Sequence, residues 1–304
     1  MISESTIWPN FFVVGGQKCG TTSIYEHLKK HPQVFVPEKK EPGFFATAPH
    51  PGQPEAIVQL RHCDSLEEYE GLYRGAGGFA ARGDLSTCYL WDADAPSRIH
   101  EICPEAKIII MLRDPVSRAH SAYLWNKWRC RDTAATFQEA LRQDSMRSKA
   151  NWCTSFMYIE CGMYYSQVRR YFETFGRERV MVLLFDDLSR RPQELFAGIA
   201  DHVGIGSTQF RSADFSEAHN FYKMPRFHKA FRFVRTRFSK ELRQRVLPAP
   251  VQEWLRSSKL LYGTRKPPLD SESRQYLQAI YEPDVTLLEE LLGRKLPELR
   301  KSWV

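Results

Sequence analysis

The sequence predicts an α/β fold, a mostly parallel sheet flanked by helices, in a single domain spanning 1–304. Three observations predict it. Residues 11–14 (FFVV), 107–112 (KIIIML) and 179–185 (RVMVLLF) are short apolar runs, as expected of strands covered on both faces. Segments with apolar residues three and four apart alternate with them, and strand–helix alternation gives a parallel sheet. With 304 residues, 42% hydrophobic and 26% charged, the chain has ordinary globular composition and a length within reach of one α/β unit carrying an extension.

The first strand stops at Gly15-Gly16, as a buried strand entering a tight turn does. From Thr21 the spacing becomes helical, with Ile24, Tyr25 and Leu28 on one face and Glu26, Lys29 and Lys30 on the other. Strand, glycine turn and helix aim backbone N–H groups and the positive end of the helix dipole at one point, so an anion belongs there. Lys18 adds a full charge, and Thr21, Thr22 and Ser23 add hydroxyl donors. Gln17, Cys19 and Gly20 complete a turn that reads as a phosphate or sulfate cradle and makes the sheet P-loop-like. It is not the standard nucleotide loop, G-x-x-x-x-G-K-[ST]. Gly15 and Gly20 have the spacing, but Thr21 occupies the lysine position. A plain strand-to-helix turn with a solvated lysine is the alternative.

Residues 33–36 form a short extended segment closed by Pro37. In the EKKEPGFF run that follows, Pro42 keeps Glu41 out of helical geometry and so places its carboxylate on a loop. Phe44 and Phe45 can wall a site there, although charge runs are usually solvated. Residues 50–54 and 75–78 read as loops, and Ser65 as the cap of a helix that turns Tyr69 and Leu72 inward. Asp84, Ser86 and Thr87 stand at the end of a short strand. The strand 107–112 is apolar and rich in isoleucine, hence central, and Pro115 opens the next helix. Ligands of open α/β sheets bind at strand C-termini, which makes Arg113 and Ser121 a second anion site. Asp114 in that position could instead be a magnesium ligand, but the preceding Arg113 favours a directly bound phosphate. Helices are predicted over 133–142, 163–175, 193–203 and 271–292, the last interrupted at Pro283 and ended by Gly293.

The formal charge of +7 favours anionic ligands: a nucleotide, a sulfated sugar, nucleic acid or an acidic surface. Residues 221–246 alternate basic and aromatic residues. They are read as a helix packing Phe227, Phe231, Val234 and Phe238 inward, with a basic face for solvent, polyanion or acidic lipid. The seven cysteines are scattered without zinc spacing, so neither a metal site nor a disulfide framework is expected. No leader and no run of membrane-spanning length is read, and the expected location is cytoplasmic, with peripheral membrane contact left open.

With these pieces in place, the chain resembles the sulfotransferases that use 3′-phosphoadenylyl sulfate (PAPS), closest to the branch with heparan sulfate sulfotransferases and bacterial relatives. Gln17, Lys18, Cys19, Gly20, Thr21, Thr22 and Ser23 look like the family's loop for the 5′-phosphosulfate. Arg113 and Ser121, eight positions apart, look like its 3′-phosphate motif. Glu41-Pro42-Gly43-Phe44-Phe45 is similar to the segment carrying the catalytic glutamate, and Asp84 falls where relatives often carry another acid. The resemblance also extends to the end of the chain, from Leu292 to Trp303. Two departures stand out: Leu85 replaces a lysine common among sugar-specific relatives, and the later Gly-Arg loop has no clear copy, Arg226 being assigned in its place. Tyr164 or Tyr165 would frame the nucleotide.

The resemblance implies direct sulfuryl transfer from PAPS to an acceptor hydroxyl, less readily an amine, on a carbohydrate, glycolipid or small natural product. Lys18 would stabilise the leaving group. Glu41 would take the acceptor proton, with Asp84 sharing that role or orienting the acceptor. No metal and no nucleic acid are called for, and core elements at about 8–45 and 80–205 leave 46–80 and 215–270 for the acceptor. The rivals are a P-loop kinase-like phosphotransferase, which needs the missing lysine and magnesium, and a non-catalytic module binding a nucleotide or polyanion.

Overall fold

The computed structural model describes residues 7–47, 63–129, 131–150, 152–211, 215, 224–225, 262–263 and 266–303. Five strands form one parallel sheet: β1 (Phe11–Val13), β2 (Val34–Phe35), β3 (Ala81–Asp84), β4 (Lys107–Leu112) and β5 (Val180–Leu184). Their order is β2-β3-β1-β4-β5. The three long apolar runs of the sequence are β1, β4 and β5, and β1 lies at the centre. Ile108, Ile109, Ile110, Met111 and Leu112 are all 0% exposed. Burying each such side chain is worth about 1.5–3 kcal/mol, so β4 anchors the sheet.

The period of two along a strand divides the core into two layers. Phe11, Val13, Ile109 and Met111 pack with Ile24 and Leu28 of α1 (Thr21–Lys29) and with Phe196 and Ile199 of the helix Pro192–Val203. Phe12, Val14, Ile108, Ile110 and Leu112 pack on the other face. There they meet the helices Ala95–Ile102, Pro115–Trp128 and Tyr164–Phe175 and the C-terminal helix, Ser271–Leu292.

From β1 the chain moves outward to β2, returns to β3, and then crosses β1 to reach β4 and β5. This reversal makes β1 the topological switch point, the place where open α/β sheets leave a crevice beyond their strand ends. The turn after β1 opens into it.

Four local expectations change. The helix predicted over 133–142 begins only at Phe137. Asp132 Oδ1 accepts the Ala134 N–H at 2.9 Å and Thr136 Oγ1 accepts the Glu139 N–H at 3.1 Å, so 132–136 form a turn and a cap. Residues 76–78 of the loop read at 75–78 form one 3₁₀ turn. The C-terminal helix runs from Ser271 to Leu292 without interruption at Pro283. Of the basic stretch 221–246, only Met224–Pro225 is described. It is a strand paired antiparallel with Tyr262–Gly263, where a helix was expected. The rest of that stretch, Arg226 included, lies outside the described residues, as does the loop read at 50–54.

Candidate active site

The cradle turn depends on two glycines. A Cβ on Gly15 would sit 2.7 Å from the Met111 nitrogen, so β1 approaches β4 there only without a side chain. Gly20 is the N-cap of α1 with φ 88°, a left-handed conformation that favours glycine, and no side chain caps that terminus. The Ser23 N–H closes onto the Gly20 carbonyl at 2.9 Å, which leaves the Thr21 and Thr22 amides to face a ligand.

Above them lies a cavity of about 580 Å³. Gln17, Lys18, Gly20, Thr21, Thr22 and Ser23 line it together with Glu41, Arg113 and Ser121. The backbone therefore brings most of the predicted residues, from the ends of β1, β2 and β4, to one place. Arg113 Nη1 donates to the Lys18 carbonyl at 3.0 Å, and its guanidinium lies 4.4 Å from the Phe185 ring centroid. The Glu41 carboxylate is held at both oxygens, by Lys40 Nζ at 2.5 Å and by Thr87 Oγ1 donating at 3.1 Å.

Three predicted residues stand elsewhere. Cys19 is fully buried; its N–H closes onto the Gly16 carbonyl at 3.1 Å, and its Sγ lies 4.0 Å from the Tyr164 hydroxyl. It shapes the turn from beneath, and burial pushes its thiol pKa up. Tyr164 lies outside the cavity lining, 0% exposed, and its hydroxyl donates to the Arg113 carbonyl at 2.8 Å. It braces Arg113 where it was expected to frame the nucleotide. Asp84 is also 0% exposed and outside the lining. Ser86 Oγ donates to it at 2.6 Å, and the Tyr69 and Tyr89 hydroxyls at 2.9 Å each. Burial raises its pKa to about 6, against these hydrogen bonds, which favour the ionised form. This placement fits neither of the roles expected for Asp84, a share in proton transfer or contact with the acceptor.

Several lining residues were not among the site residues expected from the sequence: Lys40, Thr87, Leu124, Trp125, Trp128, Arg129 and Phe185. Trp125, Trp128 and Arg129 follow Ser121 at steps of four, seven and eight, so helical spacing from Ser121 was a usable signal. Arg129 lies 4.3 Å and Lys18 5.7 Å from the Trp125 ring centroid. Lys266, from far along the chain, comes near enough to Lys18 and Arg113 to feel their charges. No local pattern announces it.

The lining carries Lys18, Lys40, Arg113 and Arg129 against one carboxylate, Glu41. Burial first, and then the charges of Arg113 and Arg129, lower the pKa of Lys18 to about 8. Burial and Arg113 bring that of Lys266 to about 8 as well. Such crowding of cations is unfavourable until an anion enters. Asp114 is engaged structurally: it accepts from the N–H groups of Ser117 and Ser302 at 2.8 and 2.7 Å, tying the chain end to the helix Pro115–Trp128. Among the described residues no cluster of three or more His, Cys, Asp or Glu is placed to hold a metal ion.

A family model described as "Sulfotransferase domain" matches residues 96–294. The chain belongs to the sulfotransferase family. The matched span contains Arg113 and Ser121, while the cradle and Glu41 precede it. A sulfotransferase from Alicyclobacillus acidocaldarius superposes with a TM-score of 0.73 and 29% identity, covering 97% of this chain and 99% of that one. Mouse carbohydrate sulfotransferase 15 is 26% identical over 228 residues, 59% of this chain and 40% of that protein. Human bifunctional heparan sulfate N-deacetylase/N-sulfotransferase 3 is 24% identical over 307 residues, 97% of this chain and 31% of that protein. This sulfotransferase-family chain thus spans less than half the length of those two curated relatives. Among its described residues, no helix is long and apolar enough to cross a membrane.

Proposed function

We propose that this chain moves a sulfuryl group from PAPS to an acceptor hydroxyl, less readily an amine. The observation that carries this reading is the meeting of Glu41, Lys18 and the uncapped α1 N-terminus in one cavity, with Arg113 and Ser121 beside them. The donor set fits the nucleotide. Lys18, the α1 amides and the hydroxyls of Thr21, Thr22 and Ser23 suit the 5′-phosphosulfate. Arg113 and Ser121 suit the 3′-phosphate, with Lys266 close enough to add charge.

PAPS supplies an activated sulfuryl group attached to a phosphate leaving group. Lys18 and the amides of the turn stabilise the charge that grows on the bridging oxygen as the bond to sulfur breaks. Glu41 accepts the acceptor's proton as the acceptor oxygen bonds to sulfur, with Thr87 and Lys40 fixing its orientation. Trp125 and Phe185 add apolar wall that limits water.

The names of the mammalian relatives favour a carbohydrate acceptor, and a glycolipid or small natural product presents the same hydroxyl chemistry. Segments 46–80 and 215–270, outside the core elements, are assigned to its recognition. All six described cysteines are free, which favours the cytoplasmic location.

Calorimetric titration with the desulfated product, 3′-phosphoadenosine 5′-phosphate, beside magnesium–ATP tests the cofactor. Tight metal-free binding of the former, lost in Lys18→Ala and Arg113→Ala, is expected. Preference for magnesium–ATP would overturn the reading in favour of a phosphotransferase, and binding without turnover in favour of a sensor. Near-full turnover by Glu41→Gln would remove Glu41 as the base.

A further inference from the structure

The turn 41–45 reaches the cavity in an unfavourable conformation: Glu41 has φ 61°, a left-handed value rare for a residue with a side chain. Such a residue persists only where its surroundings over-determine it. The surroundings here lead back to one atom group. Ser86 Oγ accepts the Gly43 N–H at 3.1 Å, and the Tyr89 hydroxyl accepts the Phe45 N–H at 3.3 Å. Phe44 stacks on Tyr69 with centroids 4.7 Å apart and planes at 15°. Ser86, Tyr89 and Tyr69 all donate their hydroxyl protons to Asp84.

The directions matter because a hydroxyl carries one proton and a backbone N–H can only donate. An ionised carboxylate only accepts. With Asp84 at the centre, each proton points inward, and the oxygens of Ser86 and Tyr89 are left to receive the two amides of the turn. An amide side chain at position 84 would set its NH2 against Ser86 on the Oδ1 side, or against Tyr69 and Tyr89 on the Oδ2 side, and turn those hydroxyls around.

We propose that Asp84 is a positioning residue that, from outside the cavity, orients Ser86, Tyr89 and Tyr69 so that they hold the 41–45 turn, and with it Glu41, in working geometry. The part concerning catalysis rests on Glu41 being the base, as argued above.

The test uses the full chain and the Asp84→Asn variant, followed by hydrogen–deuterium exchange, nucleotide titration and steady-state rates. In Asp84→Asn, the amide of Gly43, that of Phe45, or both are expected to exchange at least about tenfold faster, with those of 107–112 unchanged. Affinity for 3′-phosphoadenosine 5′-phosphate should stay within about twofold, and kcat should fall about tenfold with KM for the nucleotide unchanged. Unchanged protection of the turn, or equal loss in 107–112, would overturn the proposal.

If Asp84→Asn does not fold, Ser86→Ala and Ser86→Thr carry the test. The former should deprotect Gly43 and the latter restore it, and equal protection in both overturns the proposal. A wild-type chain that neither binds the nucleotide nor turns over defeats the functional reading alone, since the exchange comparison needs no activity.

Discussion

Lys18 and Glu41 line the same cavity and are the two non-glycine residues, among those described, whose backbones hold positive φ, at 71° and 61°. Each such conformation costs about 1–3 kcal/mol. Both side chains are the ones assigned to the chemistry, so strain and function coincide. Glycine relieves this strain. Glu41→Gly is expected to leave unfolding stability unchanged or raise it by about 1 kcal/mol while turnover is lost. Chemical denaturation beside a rate assay checks this, and a variant that is both less stable and active would contradict it.

Arg113 holds the Lys18 carbonyl, and in the proposed function the rest of its guanidinium is free to meet the nucleotide's 3′-phosphate. The Tyr164 hydroxyl fixes its own carbonyl from below. Arg113→Ala should weaken nucleotide binding roughly 100-fold, about 2.8 kcal/mol. Arg113→Lys should restore little of this, because a point charge cannot hold the turn and the ligand together. Calorimetry on the two variants decides it.

Lys18 and Lys266 both have pKa values lowered to about 8 by burial and neighbouring cations. An entering anion favours their charged forms, so binding above pH 8 takes up protons. Affinity for 3′-phosphoadenosine 5′-phosphate should therefore fall as pH rises through about 8. The stability of the free protein has the opposite slope. Between about 8 and the ordinary lysine value the unfolded chain binds more protons, so these two groups make folding more favourable as pH rises. Titrations in buffers of differing ionisation enthalpy measure the uptake directly. A pH-independent affinity from 7 to 9 would refute it.

How far the sequence could be read follows from the range of each interaction. β1, β4 and α1 were legible because apolar runs and helical spacing are local signals, and the cradle because its glycines sit between them. Arg113 and Ser121 were legible through the strand before them. Lys266 was not, since only the folded chain carries it to Lys18. Asp84 shows the converse: the family resemblance suggested chemistry for it, but the sequence could not show Tyr69 and Tyr89 closing over it. The start of the helix at Phe137 was missed because Asp132 and Thr136 divert the backbone by side-chain hydrogen bonds that compete with helix formation.

Pro283 was expected to interrupt the C-terminal helix and does not. Proline removes an N–H and leaves the carbonyl four residues earlier, that of Ala279, without its helical donor. Pro283 and Ala279 are both exposed, so water can meet that carbonyl. The opposite face holds the helix in place: Leu277, Tyr281, Val285 and Leu288 are 0% exposed. Asp284 accepts the N–H groups of Tyr164 and Tyr165 at 2.7 and 3.2 Å. Tertiary contacts thus override a propensity penalty of about 3 kcal/mol. Pro283→Ala removes the penalty without touching the buried face, and should stabilise the protein by about 1–3 kcal/mol with nucleotide affinity unchanged. Urea denaturation reads the first and calorimetry the second. A destabilised variant would mean that Pro283 sets a bend on which the packing of Asp284 against Tyr164 depends.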